Sequence, residues 1–155
     1  MAISQFHVAC VPTIWINQND DPVALLIDEE GWDTSVAFSN FDPTLLSFEE
    51  ISKVLPSTDS WHKDLKLWGD TEATDLQIWY EDGSIQSIDF RIFPSTTCTK
   101  VVSGIVDLAT SLRCRFLYPE YRQIEEPSIS GLEVAIKNSR AARFMTDPIG
   151  VIEER

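Results

Sequence analysis

Lysine and arginine are absent from the first 52 residues of this 155-residue chain, which nonetheless hold Asp20, Asp21, Asp28, Glu29, Glu30, Asp33, Asp42, Glu49 and Glu50. Over the whole chain 12 basic residues face 25 acidic ones, a formal charge of −13. Clustered cations are what displaces counterions from a phosphate backbone, so the shortage excludes nucleic acid as a direct partner. An anionic membrane surface is excluded by the same sign of charge. No run of 18 apolar residues occurs, so no membrane span is expected. The start, MAISQFHVACVPTIWIN, lacks the basic region and long apolar stretch of a secretory signal.

Glycine is also scarce. Gly31, Gly69, Gly83, Gly104, Gly131 and Gly150 form neither GxGxxG nor a P-loop, which removes a glycine cradle for nucleotide phosphates. GxSxG and HExxH are missing too. Cys10, Cys98 and Cys114 are odd in number and contain no CxxC, as expected of free thiols in a reducing cytoplasm. Cys114, between Arg113 and Arg115, comes nearest to the electropositive setting of a reactive thiol, but a small apolar residue in a strand is the simpler role.

What is present is a core. Hydrophobic residues make up 43% of the chain and include 8 Phe, 5 Trp and 3 Tyr, enough for one domain of this length. Charge divides it unevenly: residues 1–90 carry a net −14, residues 91–155 a net +1. Summed charge of one sign speeds association with an oppositely charged partner, so the first portion reads as a face for a basic protein. The alternative is a merely solvated surface.

Gln5 to Ile16 reads as a strand, or two broken at Pro12. The polar stretch Asn17 to Pro22 and the run Val23 to Ile27 then suggest a hairpin-like pair, with Ser35 to Phe38 as a third extended run. Ser47-Phe48-Glu49-Glu50 is a capping box starting a short helix that stops before Pro56. Around Glu81-Asp82-Gly83 two alternating runs predict a hairpin over 74–93. A two-residue loop would set Leu76 against Asp89, whereas a three-residue loop with a glycine bulge pairs Leu76 with Ile88 and Ile78 with Gln86 and is preferred. The opposite face then holds Asp75, Gln77, Trp79, Ser87, Asp89 and Arg91, with Asp75 across from Asp89 and Arg91 as neutraliser. On that face Trp79 is a candidate anchor for a partner, or an ordinary packed ring.

The stripe Val101, Ile105, Leu108 and Leu112 predicts a helix over about 96–112, capped by Ser95 or Thr96. Arg115 to Tyr118 reads as a strand. A second main helix is expected over about 128–143, with Ile129, Leu132, Ala135 and Ile136 inward and Arg140 and Arg143 suiting its C-terminal dipole. Residues 149–155 read as a frayed tail. The expected fold is a single α+β domain over 1–148, an antiparallel sheet with a central hairpin packed by two main helices.

Catalytic signals are weak. Asp59, His62, Asp64 and Asp70 have no diagnostic ligand spacing, and no carboxylate pair stands out for acid–base chemistry. No enzyme activity, metal or cofactor is therefore expected, with a small hydrolase kept as an alternative.

Trp68-Gly69-Asp70, Thr74 to Tyr80, Gly83, Ile88-Asp89-Phe90-Arg91-Ile92, Ser139-Arg140-Ala141-Ala142-Arg143-Phe144 and Asp147-Pro148 form a pattern. In these stretches the chain resembles small uncharacterised bacterial proteins. In character it is similar to the acidic immunity proteins of bacterial toxin systems, which bind and neutralise a cognate toxin in the cytoplasm. Such proteins share no single fold or motif, so the resemblance implies an activity but no particular contact residue. The candidate partner-binding residues come from charge and aromatic content: Asp20, Asp21, Asp28, Glu29, Glu30, Trp32, Asp33, Trp68, Asp70, Asp75, Trp79, Asp89 and Arg91. Occlusion of a basic toxin's active surface is the expected mechanism, and an adaptor or chaperone for a basic protein is the alternative.

Overall fold

The computed structural model describes residues 4–96 and 98–153. It is an α+β protein built on one seven-stranded antiparallel sheet in the order β2-β3-β4-β5-β1-β6-β7. The strands are β1 (Phe6–Pro12), β2 (Ser57–Thr58), β3 (Leu65–Gly69), β4 (Asp75–Glu81), β5 (Ser84–Ile92), β6 (Cys114–Tyr118) and β7 (Gln123–Glu125). The first strand thus enters the middle of the sheet, between β5 and β6.

One face of the sheet carries the main core. Phe6, Val8 and Cys10 of β1, Leu76 and Ile78 of β4, Ile88, Phe90 and Ile92 of β5, and Phe116 and Tyr118 of β6 all lie in it. Helix α4 (Thr99–Ser111) supplies Val102, Ile105, Val106, Leu108 and Ala109; of the expected stripe Ile105, Leu108 and Leu112 are buried, while Val101 is half-buried at its edge. Its N-cap is Cys98 rather than Ser95 or Thr96, because Pro94–Thr96 forms a 3-10 turn first. Helix α3 (Phe48–Val54) begins as its capping signal predicts: the Ser47 hydroxyl accepts from the Glu50 amide at 3.2 Å. The Glu50 carboxylate pairs with Lys53 at 2.8 Å. Cys10 and Cys114 are buried, and a hydrogen bond with Cys114 together with burial raises the Cys10 thiol well above its ordinary pKa. Cys98 is exposed.

The N-terminal segment departs from expectation. Thr13–Asn17 is helix α1, not strand, and Pro22–Leu26 is helix α2, not the second arm of a hairpin. Asp21 caps α2 through the Ala24 amide at 3.3 Å with Pro22 at the first helical position, a start signal that outweighs the strand-like run that follows. Ser35–Phe38 is a 3-10 turn. These short helices place Trp15, Ile16, Leu26, Ile27 and Ala37 on the sheet's second face, against Ala9, Val11 and Leu117.

The 74–93 hairpin has the expected faces but another register. Glu81 pairs with Ser84, leaving the two-residue loop Asp82-Gly83 with φ of 50° and 80°. Both central residues with positive φ match a type I′ turn, the loop rejected on pattern. A register shift beside Trp79 and Tyr80 then inserts Gln86 as an extra residue, so Ile78 meets Ile88 and Leu76 meets Phe90. The bulge restores the apolar face that an unbroken two-residue hairpin would scramble. It also sets Asp75 opposite Arg91, and Asp89 opposite Gln77.

The second long helix is interrupted. Helix α5 (Ile129–Lys137) ends at Asn138 and helix α6 (Arg140–Thr146) restarts from Ser139, whose buried hydroxyl accepts from the Ala142 amide at 3.1 Å and donates to the Ile136 carbonyl at 2.6 Å. Arg140 accordingly opens a helix instead of closing one, and Ile129 is 41% exposed. Helix α7 (Pro148–Glu153) buries Val151, where a frayed tail was expected; residues 154–155 of that tail lie outside the described residues.

Candidate functional site

Residues 27–33 fold back on themselves through a bridge between Ile27 and Trp32. The Asp28 carboxylate accepts from the Glu30 amide at 2.8 Å and the Gly31 amide at 3.0 Å, and Asp33 accepts from the Ser35 amide at 2.9 Å. Asp20, Asp21, Asp28, Glu29, Glu30 and Asp33 are all exposed. None of the ion pairs Lys53–Glu50, Arg91–Asp75 and Arg115–Glu126 involves this segment. The result is an ordered, acid-rich surface whose inner side meets Arg122 and Arg140: the Arg122 guanidinium donates to the Asp28 carbonyl at 3.5 Å, and both arginines line one cleft with Asp28, Glu29 and Glu30.

Beneath the segment runs a polar strip of the second sheet face. Trp32 stands edge-on to His7, ring centroids 5.3 Å apart, and the Thr34 hydroxyl donates to the Gln86 carbonyl at 3.5 Å. His7 and Asp89 each have a buried side-chain atom, Nε2 and Oδ1, without a hydrogen-bond partner. Burial, with the field of Arg91, lowers the His7 pKa to about 4. Burial likewise lifts Asp89 to about 7; its neighbour Asp33 adds to this, and the Ser87 hydroxyl opposes it. Both side chains are therefore held toward their neutral forms.

Asp75 is fully buried and forms a bidentate ion pair with Arg91, one arm from Nε to Oδ1 at 3.0 Å and the other from Nη2 to Oδ2. The pair is structural, so neither group is offered to a partner as a free charge. Trp68 points to the opposite face, where it is buried against Phe48 at a ring separation of 5.3 Å and donates to the Ser52 hydroxyl. It is a core residue and no surface anchor. Asp70 sits in the exposed β3–β4 turn, accepting from the Glu72 amide at 2.9 Å. Trp32, Asp33, Asp75, Trp79, Asp89 and Arg91 thus gather on the second face, while Trp68 is turned away from it.

Sequence reasoning overlooked Trp61. It is 68% exposed and lies against Trp79 with ring centroids 5.4 Å apart. A Trp in a polar loop, Asp59-Ser60-Trp61-His62-Lys63-Asp64, without apolar residues at strand or helix spacing, was the available signal.

Among the described residues no three His, Cys, Asp or Glu side chains gather to hold a metal ion, so the Asp59, His62, Asp64 and Asp70 set is not assembled. No helix among them is long and apolar enough to cross a membrane. Comparisons with protein-family models, curated proteins and solved structures find no match to this chain.

Proposed function

We propose that this chain is an immunity-type protein that binds a basic bacterial toxin in the cytoplasm and occludes its active or substrate-binding surface. The observation that carries the reading is the exposed segment 20–33, six carboxylates without one Lys or Arg, on a backbone tied down by the Ile27–Trp32 bridge. Such a surface attracts a cationic partner over a Debye length and binds it without first having to order a loop. The protein acts as a stoichiometric inhibitor and performs no chemistry.

The test starts from the product of the gene next to this one. Co-expression with this chain is expected to abolish that protein's toxicity. In the purified complex, Glu29→Lys with Glu30→Lys is expected to lower the association rate on the order of tenfold at low salt and to flatten its salt dependence. Neither carboxylate takes part in the Asp28 turn contacts, so the fold is retained. An unchanged association rate overturns the role of the segment. A bound partner that stays active makes the protein an adaptor or chaperone instead.

A further inference from the structure

Trp61, His62 and Trp79 form a three-ring cluster at one end of the second sheet face. Their centroids are 5.4 Å apart for Trp61–Trp79, 5.4 Å for His62–Trp79 and 6.0 Å for Trp61–His62, with interplanar angles of 68°, 55° and 82°. Trp61 meets both Trp79 and His62 edge to face, His62 lies tilted against Trp79, and Trp61 is 68% exposed, so ring surface of Trp61 is open to solvent.

The cluster is held in place on both sides. In the loop, the His62 amide donates to the Ser60 hydroxyl at 3.1 Å, and that hydroxyl donates to the His62 carbonyl at 2.8 Å. His62 Nδ1 accepts from the Asp64 amide at 3.0 Å. Along β4, Trp79 Nε1 donates to Gln77 Oε1 at 3.3 Å, and Gln77 Nε2 donates to Asp75 Oδ2 at 3.4 Å. That carboxylate is itself fixed by Arg91. The hydrogen-bonded row 75, 77, 79 therefore runs from a buried ion pair to an exposed aromatic surface. His62 and Trp79 are thereby held in place, and Trp61 leans on both rings, which lowers the freedom a ligand has to freeze out.

We infer that this cluster is the seat of an arginine side chain from a basic protein partner. A flat guanidinium stacks on an indole face, and cation–π attraction is strongest on Trp. The charge around the cluster selects a cation: its loop holds Asp59 and Asp64 against Lys63 alone, and residues 1–90 carry a net −14. Lys66 sits one residue from Leu65, the partner of Trp79, and so belongs to the other face. The acidic segment reaches the same face through Trp32, which lies against His7, and Asp33, which acts on Asp89, so aromatic seat and acidic surface address one partner from one side. The inference rests on the proposed toxin-binding reading for its choice of partner.

The test titrates hexa-arginine and hexa-lysine peptides, equal in charge, into the full-length protein. The wild type is expected to prefer the arginine peptide by about threefold or more. Trp61→Ala is expected to abolish the preference and Trp61→Phe to retain part of it; Trp61 is exposed, so both variants fold. Glu29→Lys with Glu30→Lys should weaken both peptides alike and leave their ratio intact. Absence of a preference in the wild type, or its survival in Trp61→Ala, overturns the arginine seat whatever the acidic segment does. If the double charge reversal weakens neither peptide while Trp61→Ala removes the ratio, the seat stands and the role of segment 20–33 falls.

Discussion

Replacing Asp89 by asparagine should stabilise the protein, and the gain should grow with pH. Asp89 lies in the middle of β5, between Gln77 and Ala9 on the neighbouring strands, and one of its oxygens is buried without a donor. Burial raises its pKa from 3.8 to about 7. The folded chain therefore retains a proton that the unfolded chain releases from pH 4 upward. The stability this side chain contributes is complete below the unfolded pKa and is lost as pH rises through the folded one. At 1.36 kcal/mol per unit, the loss amounts to about 4 kcal/mol at pH 8, the smaller part of it already incurred by pH 5. Asparagine keeps the shape of the neutral carboxyl and never ionises, so the gap between Asp89→Asn and wild type should widen by about 3 kcal/mol from pH 5 to pH 8. His7, depressed to about 4, gives a slope of opposite sign below pH 6.5, but it is common to both proteins and drops out of the difference. Urea unfolding followed by circular dichroism at pH 5, 6.5 and 8 measures the gap directly. A gap that stays constant or narrows refutes the reasoning.

Two further perturbations address packing. Arg91→Met leaves the Asp75 carboxylate buried without its partner and should cost roughly 3 kcal/mol, whereas Arg91→Met with Asp75→Leu should recover most of that loss; denaturant midpoints of the two variants decide it. A Cβ on Gly104 would stand 2.7 Å from Val54 Cγ1, so Gly104→Ala should cost on the order of 1–3 kcal/mol by overpacking α4 against α3. Val54→Ala should relieve part of this in a double-mutant cycle, and strict additivity would count against direct contact.

Legibility of the fold followed the strength of local signals. Ser47 announced α3 and the Val101–Ile105–Leu108–Leu112 stripe announced α4, because capping and periodicity act within a few residues. The run Thr13–Ile16 favours strand by composition, yet β1 ends at Pro12 and Trp15 and Ile16 turn onto the second face, a decision made by packing against Ala9 and Leu117. In the hairpin, alternation assigned each side chain to its proper face, but a bulge at Gln86 allows the same faces with a different turn, so pattern alone could not select the pairing. Ser139 carried a capping signal inside a helical pattern and the apolar stripe masked it. For the candidate site, charge singled out segment 20–33, whose carboxylates are exposed. The burial of Trp68 and Asp75 depends on which face each residue takes, and Trp61 became visible as an anchor only when its loop was seen against Trp79.

The sheet closes on very little at either side. Its outer strands are β2, two residues long, and β7, three residues long. A free edge is where another chain can add as a further strand, through its own backbone amides and carbonyls. Two or three residues offer too few such groups to hold one, which protects the protein from joining its own kind edge to edge. Recognition through side chains instead leaves the sheet untouched, so a single substitution can change which partner is accepted without disturbing the fold.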